Sequence, residues 1–161
     1  MKVQLDNIDI IICEMIGRMR NIVNRNFKVK DNKVGMDTSV NIDVQGFLAE
    51  YAFAKHFNTF PDFDLRPRSG SYDAFYKGYR YDIKSTRRKN GRLITTTKIN
   101  PDVDIYILAI VDDTEVDFIG YAFKDELIKA ENIIDLGYGD TYVLERNKLH
   151  NFRNGHKKEI V

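Results

Sequence analysis

The residues best suited to chemistry sit around one short glycine turn. Asp73 precedes Lys77-Gly78, and Asp82 and Lys84 follow it, inside two strand-forming runs at 72–76 and 79–85. A two-residue loop puts Tyr76 opposite Tyr79, Phe75 opposite Arg80, Ala74 opposite Tyr81 and Asp73 opposite Asp82. Opposed residues of an antiparallel pair hold their Cβ atoms about 4.5–5.5 Å apart, so two carboxylates there repel. A divalent cation between them turns that repulsion into a binding site. Strand alternation sets Lys84 on the same face as Asp82, while Tyr79, Tyr81 and Ile83 turn to the other. A lysine beside such acids can stabilise charge at a phosphate, or orient and help deprotonate an attacking water. The bland alternative is a surface hairpin whose acids pair with Arg80, Lys84 or Arg87.

An element must hold a further acid near this hairpin. A helix is expected from about 42 to 57, capped by Ser39 or Asn41, with Val44, Phe47, Leu48, Tyr51 and Ala54 as its apolar face. Gly46, Glu50, Phe53 and Phe57 share a stripe on it. Gly46 would let another backbone approach, and Glu50 is either an ordinary surface acid or one aimed at a site. A second acid-x-Lys tripeptide, Asp31-Asn32-Lys33, lies in a polar loop without an acidic partner strand and carries less weight.

Charge distribution points to a polyanion. Between Lys77 and Lys98 eight cations (Lys77, Arg80, Lys84, Arg87, Arg88, Lys89, Arg92 and Lys98) face Asp82 alone, in a chain of net charge +1. Arg66, Arg68, Ser69 and Ser71 lead into Asp73. A solvated charged hairpin is the plain reading of the basic run; beside the acids, Arg87, Arg88, Lys89, Arg92 and Lys98 are read as phosphate contacts. Tyr72, Tyr76, Tyr79 and Tyr81 could stack on bases, but strand tyrosines more often pack. His150 and His156 are read as solvated residues or weak phosphate contacts in a basic tail.

Gly46-Phe47-Leu48-Ala49-Glu50 on a helix, Ser71-Tyr72-Asp73 on a first strand and Asp82-Ile83-Lys84 on a second resemble the PD-(D/E)xK nuclease superfamily, over roughly 42–123. Tyr72 stands where the family name has Pro. The Arg-x-Arg-Ser-Gly-Ser stretch before Asp73 is similar to that of archaeal Holliday-junction resolvases in the same superfamily. The resemblance implies a restriction-endonuclease-like α/β fold, a mixed central sheet flanked by helices. It implies that Asp73, Asp82 and the Ile83 carbonyl bind Mg²⁺, with Mn²⁺ able to substitute. Glu50 would bind or orient the metal's water shell, and Lys84 would act on the water or the phosphate. The reaction implied is hydrolysis of phosphodiesters in double-stranded or branched DNA, by an endonuclease of the restriction, repair, phage or mobile-element kind. A junction resolvase or exonuclease of the same superfamily is the nearest alternative. A nucleic-acid-binding protein that keeps the fold without cleaving is the alternative from another class.

The remaining sequence frames this core. Its 161 residues, 43% hydrophobic, fit one domain: a helix and loop over 1–41, the catalytic core over 42–123, and a helix, strand and basic tail over 124–161. Ile8, Ile11, Met15, Met19 and Ile22 give the first helix an apolar stripe, read as core packing or a homodimer contact, with Asn7 as its cap. Residues 104–111 form an apolar run expected as a central strand, 115–123 its returning partner, and 124–134 a helix. Cys13 is the only cysteine, which leaves no intramolecular disulfide. With no signal peptide and no membrane span, an intracellular, cytoplasmic protein is expected.

Overall fold

One strand organises the molecule: β5 (Ile105–Asp112) is buried from Ile105 to Val111 on both faces. Ile105, Ile107, Ala109 and Val111 point into one core, and Tyr106 and Leu108 into a second. An apolar run without alternation is what two covered faces require. The structure, a computed structural model, describes residues 1–28, 38–67, 72–137 and 139–152.

Five strands form the main sheet: β1 (Lys2–Gln4), β2 (Ala74–Tyr76), β3 (Tyr79–Thr86), β5 and β6 (Glu115–Phe123), in the order β1-β6-β5-β3-β2. The sheet is mixed, since β3 runs parallel to β5 and the other pairs are antiparallel. β4 (Leu93–Thr96), β7 (Ile133–Asp135) and β8 (Asp140–Leu144) form a small second sheet in the order β4-β8-β7.

Two long helices, α1 (Asn7–Asn26) and α2 (Ser39–Phe57), cover the first core. The second core is closed by the small sheet and by α3 (Lys124–Leu127), through Leu93, Leu144 and Leu127. Helices therefore lie on both faces, as expected, but unequally. Both long helices share one face, and the helix expected over 124–134 is a single turn followed by a 3₁₀ turn and β7. Asp6 rather than Asn7 caps α1, accepting the Ile8 and Asp9 amides while Asp9 accepts the Asp6 amide. Thr38 caps α2.

The α1–α2 crossing rests on Gly17. A Cβ there would lie 2.6 Å from the Val44 Cα, so only glycine permits the approach. Gly46, the glycine expected to serve this purpose, has nothing within 4 Å of its would-be Cβ. α1 is also turned the other way round. Ile8, Ile11, Met15, Met19 and Ile22 are exposed, and Asp9, Cys13, Ile16, Gly17, Asn21 and Asn24 are buried. The inward polar groups are satisfied: Asp9 by Lys55 and Tyr51, Asn21 by Asp43. Among the described residues, no helix is long and apolar enough to cross a membrane.

Candidate functional site

The Lys77-Gly78 turn takes positive φ at both residues (47° and 86°), the geometry that suits a tight hairpin. The resulting register is the expected one for three pairs: Tyr76 with Tyr79, Phe75 with Arg80 and Ala74 with Tyr81. The ladder then ends. Asp73 donates its amide to the carbonyl of Tyr81, the residue already opposite Ala74. The expected Asp73–Asp82 ladder pair does not form; the chain slips and Asp73 turns its carboxylate onto β3.

That slip matters because β3 continues five residues past the last paired position. Its backbone groups alternate in direction: the Arg80 carbonyl accepts from Asp104 on the β5 side, and the Tyr81 carbonyl accepts from Asp73 on the β2 side. The amide and carbonyl of Ile83 therefore face the edge where β2 has stopped. The Ile83 amide donates to Asp73 Oδ2 at 2.6 Å, and its carbonyl leaves β3 along that same edge. Asp82 and Lys84 stand in register with Tyr106 and Leu108, on the face of the second core. Lys84 Nζ lies 2.7 Å from Asp82 Oδ1.

Glu50 reaches this edge from α2. Its Oε2 accepts from Arg20 Nη1 at 2.8 Å, and both side chains are largely enclosed, at 16% and 19% exposure. Arg20 also donates to the carbonyls of Asp62 (2.6 Å) and Asp64 (3.2 Å) and lies over the Phe47 ring. Sequence reasoning missed Arg20 and assigned α1 no chemistry. The available signal was its helical spacing from Cys13 and Gly17, on the stripe where a glycine marks the close approach. Gln45 was also missed; its amide donates to Ser85 Oγ at 3.0 Å and ties α2 to β3 beside Lys84.

Electrostatics register the convergence. Enclosure pushes the Asp73 carboxyl well above the usual carboxylate range, and Glu50 and Asp82 push it further; Lys84 and the Ile83 amide pull back. Burial also raises Glu50, Arg20 opposes that, and Asp62 and Asp82 add to it. Burial works against the Arg20 charge, but Glu50 outweighs it and the guanidinium is held more firmly charged. Among the described residues no arginine pairs with Asp73 or Asp82.

The donor set is all oxygen: two carboxylates, Asp73 and Asp82, with the Ile83 carbonyl at the same edge. No three His, Cys, Asp or Glu side chains among the described residues converge to cage a metal ion. A cation here would thus lean on two acids and on water. This pattern suits Mg²⁺, which prefers oxygen, takes one or two carboxylates and keeps several waters.

The residues expected as nucleic-acid contacts fall in several places. Arg87 and Lys89 follow β3 and face the β5–β6 turn, 3.7 Å from Asp113 and 3.9 Å from Asp112. Arg92 pairs with Glu145 at 3.1 Å, and Arg66 pairs with Asp64. Arg88 and Lys98 are exposed. Exposed pairs of this kind hold little energy. Arg68, Ser69, Ser71, the Asp31-Asn32-Lys33 tripeptide and His156 lie outside the described residues. Tyr76, Tyr79 and Tyr81 pack on the first core; Tyr72 is 40% exposed and sits near Phe75. His150, expected as a solvated residue or weak phosphate contact, instead stacks on Tyr121 and pairs with Glu126 at 2.8 Å.

The chain matches no protein-family model, no curated protein and no solved structure.

Proposed function

We propose that the protein is a metal-dependent nuclease of the PD-(D/E)xK kind, with a restriction-endonuclease-like fold, that hydrolyses DNA phosphodiesters. The observation that carries this reading is the Asp73 carboxylate held on the Ile83 amide at the unpaired edge of β3, with the Asp82–Lys84 pair on the same strand; burial raises the proton affinity of Asp73, and Glu50 and Asp82 raise it further. Stability alone gives no reason to gather like charges in a half-enclosed place, and perturbed carboxylates cluster where function needs them.

In this reading Asp73, Asp82 and the Ile83 carbonyl hold Mg²⁺ or Mn²⁺, which when bound supplies Lewis-acid polarisation of the phosphate and of water. Lys84 lies against Asp82, so its ammonium is positioned to offset charge growing on a phosphate or to orient the attacking water. Arg20 fixes one oxygen of Glu50, which makes Glu50 an orienting acid beside the ion rather than a direct ligand. Arg66 on the α2 side and Arg87, Arg88 and Lys89 beyond the end of β3 would neutralise flanking phosphates.

The alternative that a specific observation favours is a non-cleaving DNA-binding protein. Glu50 is bound by Arg20 and Asp82 by Lys84, so part of the charge is already neutralised internally. One panel separates the two. Linear duplex and four-way-junction DNA are incubated with Mg²⁺ or Mn²⁺, and with neither. The nuclease reading expects metal-dependent cleavage that falls at least about 100-fold in Asp73→Asn, Asp82→Asn and Lys84→Ala, with binding by fluorescence anisotropy retained. Salt-sensitive binding without cleavage under any metal, or equal nicking by wild type and Asp82→Asn, rejects it.

A further inference from the structure

Among the described residues nothing covers the outward face of α1, and the spacing of its apolar residues is symmetric. The exposed apolar residues Ile8, Ile11, Met15, Met19 and Ile22 are separated by three, four, four and three positions. That spacing reads the same in both directions about Met15. An antiparallel second copy therefore sets Ile8 against Ile22, Ile11 against Met19, and Met15 against Met15, along roughly 21 Å of helix. Mirror-symmetric spacing suits a two-fold interface, in which the same patch must complement itself.

We infer that the protein forms a homodimer through antiparallel packing of α1 on α1 of a second copy. Exposure of the stripe runs from 43% at Met19 to 69% at Ile8. With roughly 200 Å² for each fully exposed side chain, the stripe offers about 500–600 Å² per copy. That is the upper end of the roughly 300–600 Å² that the largest apolar patch of a monomer covers, a size often tied to function. A standard interface takes about 800 Å² from each partner. The half-buried Ile12 and Val23 and the stems of Glu14 and Arg18 border the stripe and supply the rest.

Charge complements the shape. Glu14 and Arg18 are exposed on one flank of the stripe, one residue before and three after its centre. Two-fold symmetry brings like flank to like flank, with Arg18 of one copy about 3 Å along the axis from Glu14 of the other. Two symmetric ion pairs result, and the antiparallel helix dipoles attract as well. The inward face of α1 supports the same assignment, because beside Cys13 and Ile16 it carries the polar Asp9, Asn21 and Asn24 while five large apolar residues face outward. A helix that only packed on its own core would be turned the other way.

Sedimentation velocity on the full chain tests this. Wild type is expected as a dimer at about 10 µM. Met15→Glu is expected to weaken association more than about 100-fold, with an unchanged circular-dichroism spectrum and melting cooperativity. Glu14→Lys and Arg18→Glu should each weaken it about 3- to 10-fold, and the double swap should restore it to within about twofold. Geometry is read by disulfide trapping with diamide. Met15→Cys should cross-link to itself, Ile8→Cys should not, and Ile8→Cys mixed with Ile22→Cys should. Native Cys13 is buried and does not interfere. A wild-type monomer at about 100 µM, or a dimer that survives Met15→Glu and leaves Met15→Cys untrapped, overturns the inference. The nuclease proposal has its own readout in cleavage and stands or falls separately.

Discussion

Asp73→Asn should stabilise the metal-free protein near neutral pH. Asparagine has almost the same shape, and its carbonyl oxygen can accept the Ile83 amide that Asp73 Oδ2 now accepts at 2.6 Å. What disappears is a charge disfavoured by enclosure, by Glu50 and by Asp82. Two like charges repel by about 4 kcal/mol at roughly 4 Å and an effective dielectric of about 20, and by proportionately less as they separate. Lys84, the Ile83 amide and partial solvent access offset part of this, which leaves a net gain of about 1–2 kcal/mol. For a chain of this size that is a rise of about 3–6 °C in melting temperature. The pH dependence follows from the direction of the shift. The folded protein holds the Asp73 proton more tightly than the unfolded chain, so wild type loses stability as pH rises from the ordinary carboxylate value to the raised one. The Asn variant lacks that loss. The gap between the two should be absent near pH 4, open as pH rises, and level off above the raised value. Thermal melts in a chelator, over a pH series, give the measurement. In a second arm, Mg²⁺ at about tenfold its dissociation constant should stabilise wild type by about 1.4 kcal/mol and leave Asp73→Asn unmoved. An Asn variant that melts lower than wild type at neutral pH refutes the electrostatic account of the site. Equal stabilisation of both proteins by Mg²⁺ refutes the assignment of the ion to Asp73.

Arg20→Met should destabilise by about 2–4 kcal/mol, since it leaves the enclosed Glu50 without its partner and frees the carbonyls of Asp62 and Asp64. In denaturant titrations, adding Glu50→Gln should recover part of that loss; strict additivity would show that Arg20 acts by packing alone. The two helix glycines should respond to alanine with opposite sign. Gly17→Ala drives a methyl to 2.6 Å from the Val44 Cα and should cost about 1–3 kcal/mol. Gly46→Ala meets open space and should gain up to about 1 kcal/mol of helix propensity, measured by the same titrations.

Local chemistry determined what was legible in the sequence. The Lys77-Gly78 turn fixes three ladder pairs because a two-residue loop leaves no other register, and strand alternation sets Asp82 and Lys84 on one face. The apolar run of β5 announces a strand covered on both sides. The spacing of α1 identifies which residues share a stripe. Tertiary structure decided which way that stripe faces, because Gly17 against Val44 and the Asp9–Lys55–Tyr51 contacts compete with five apolar side chains for the same interior. It also decided that the ladder slips at Asp73, that Arg20 arrives at Glu50, and that a small sheet with a single helical turn, rather than a long helix, closes the second core. Turns and periodicities are set by residues a few positions apart, which the chain displays directly. The direction of a face and the neighbours of an acid are set by groups 30 or more positions apart, such as Arg20 and Glu50, and these meet only once the helices have packed.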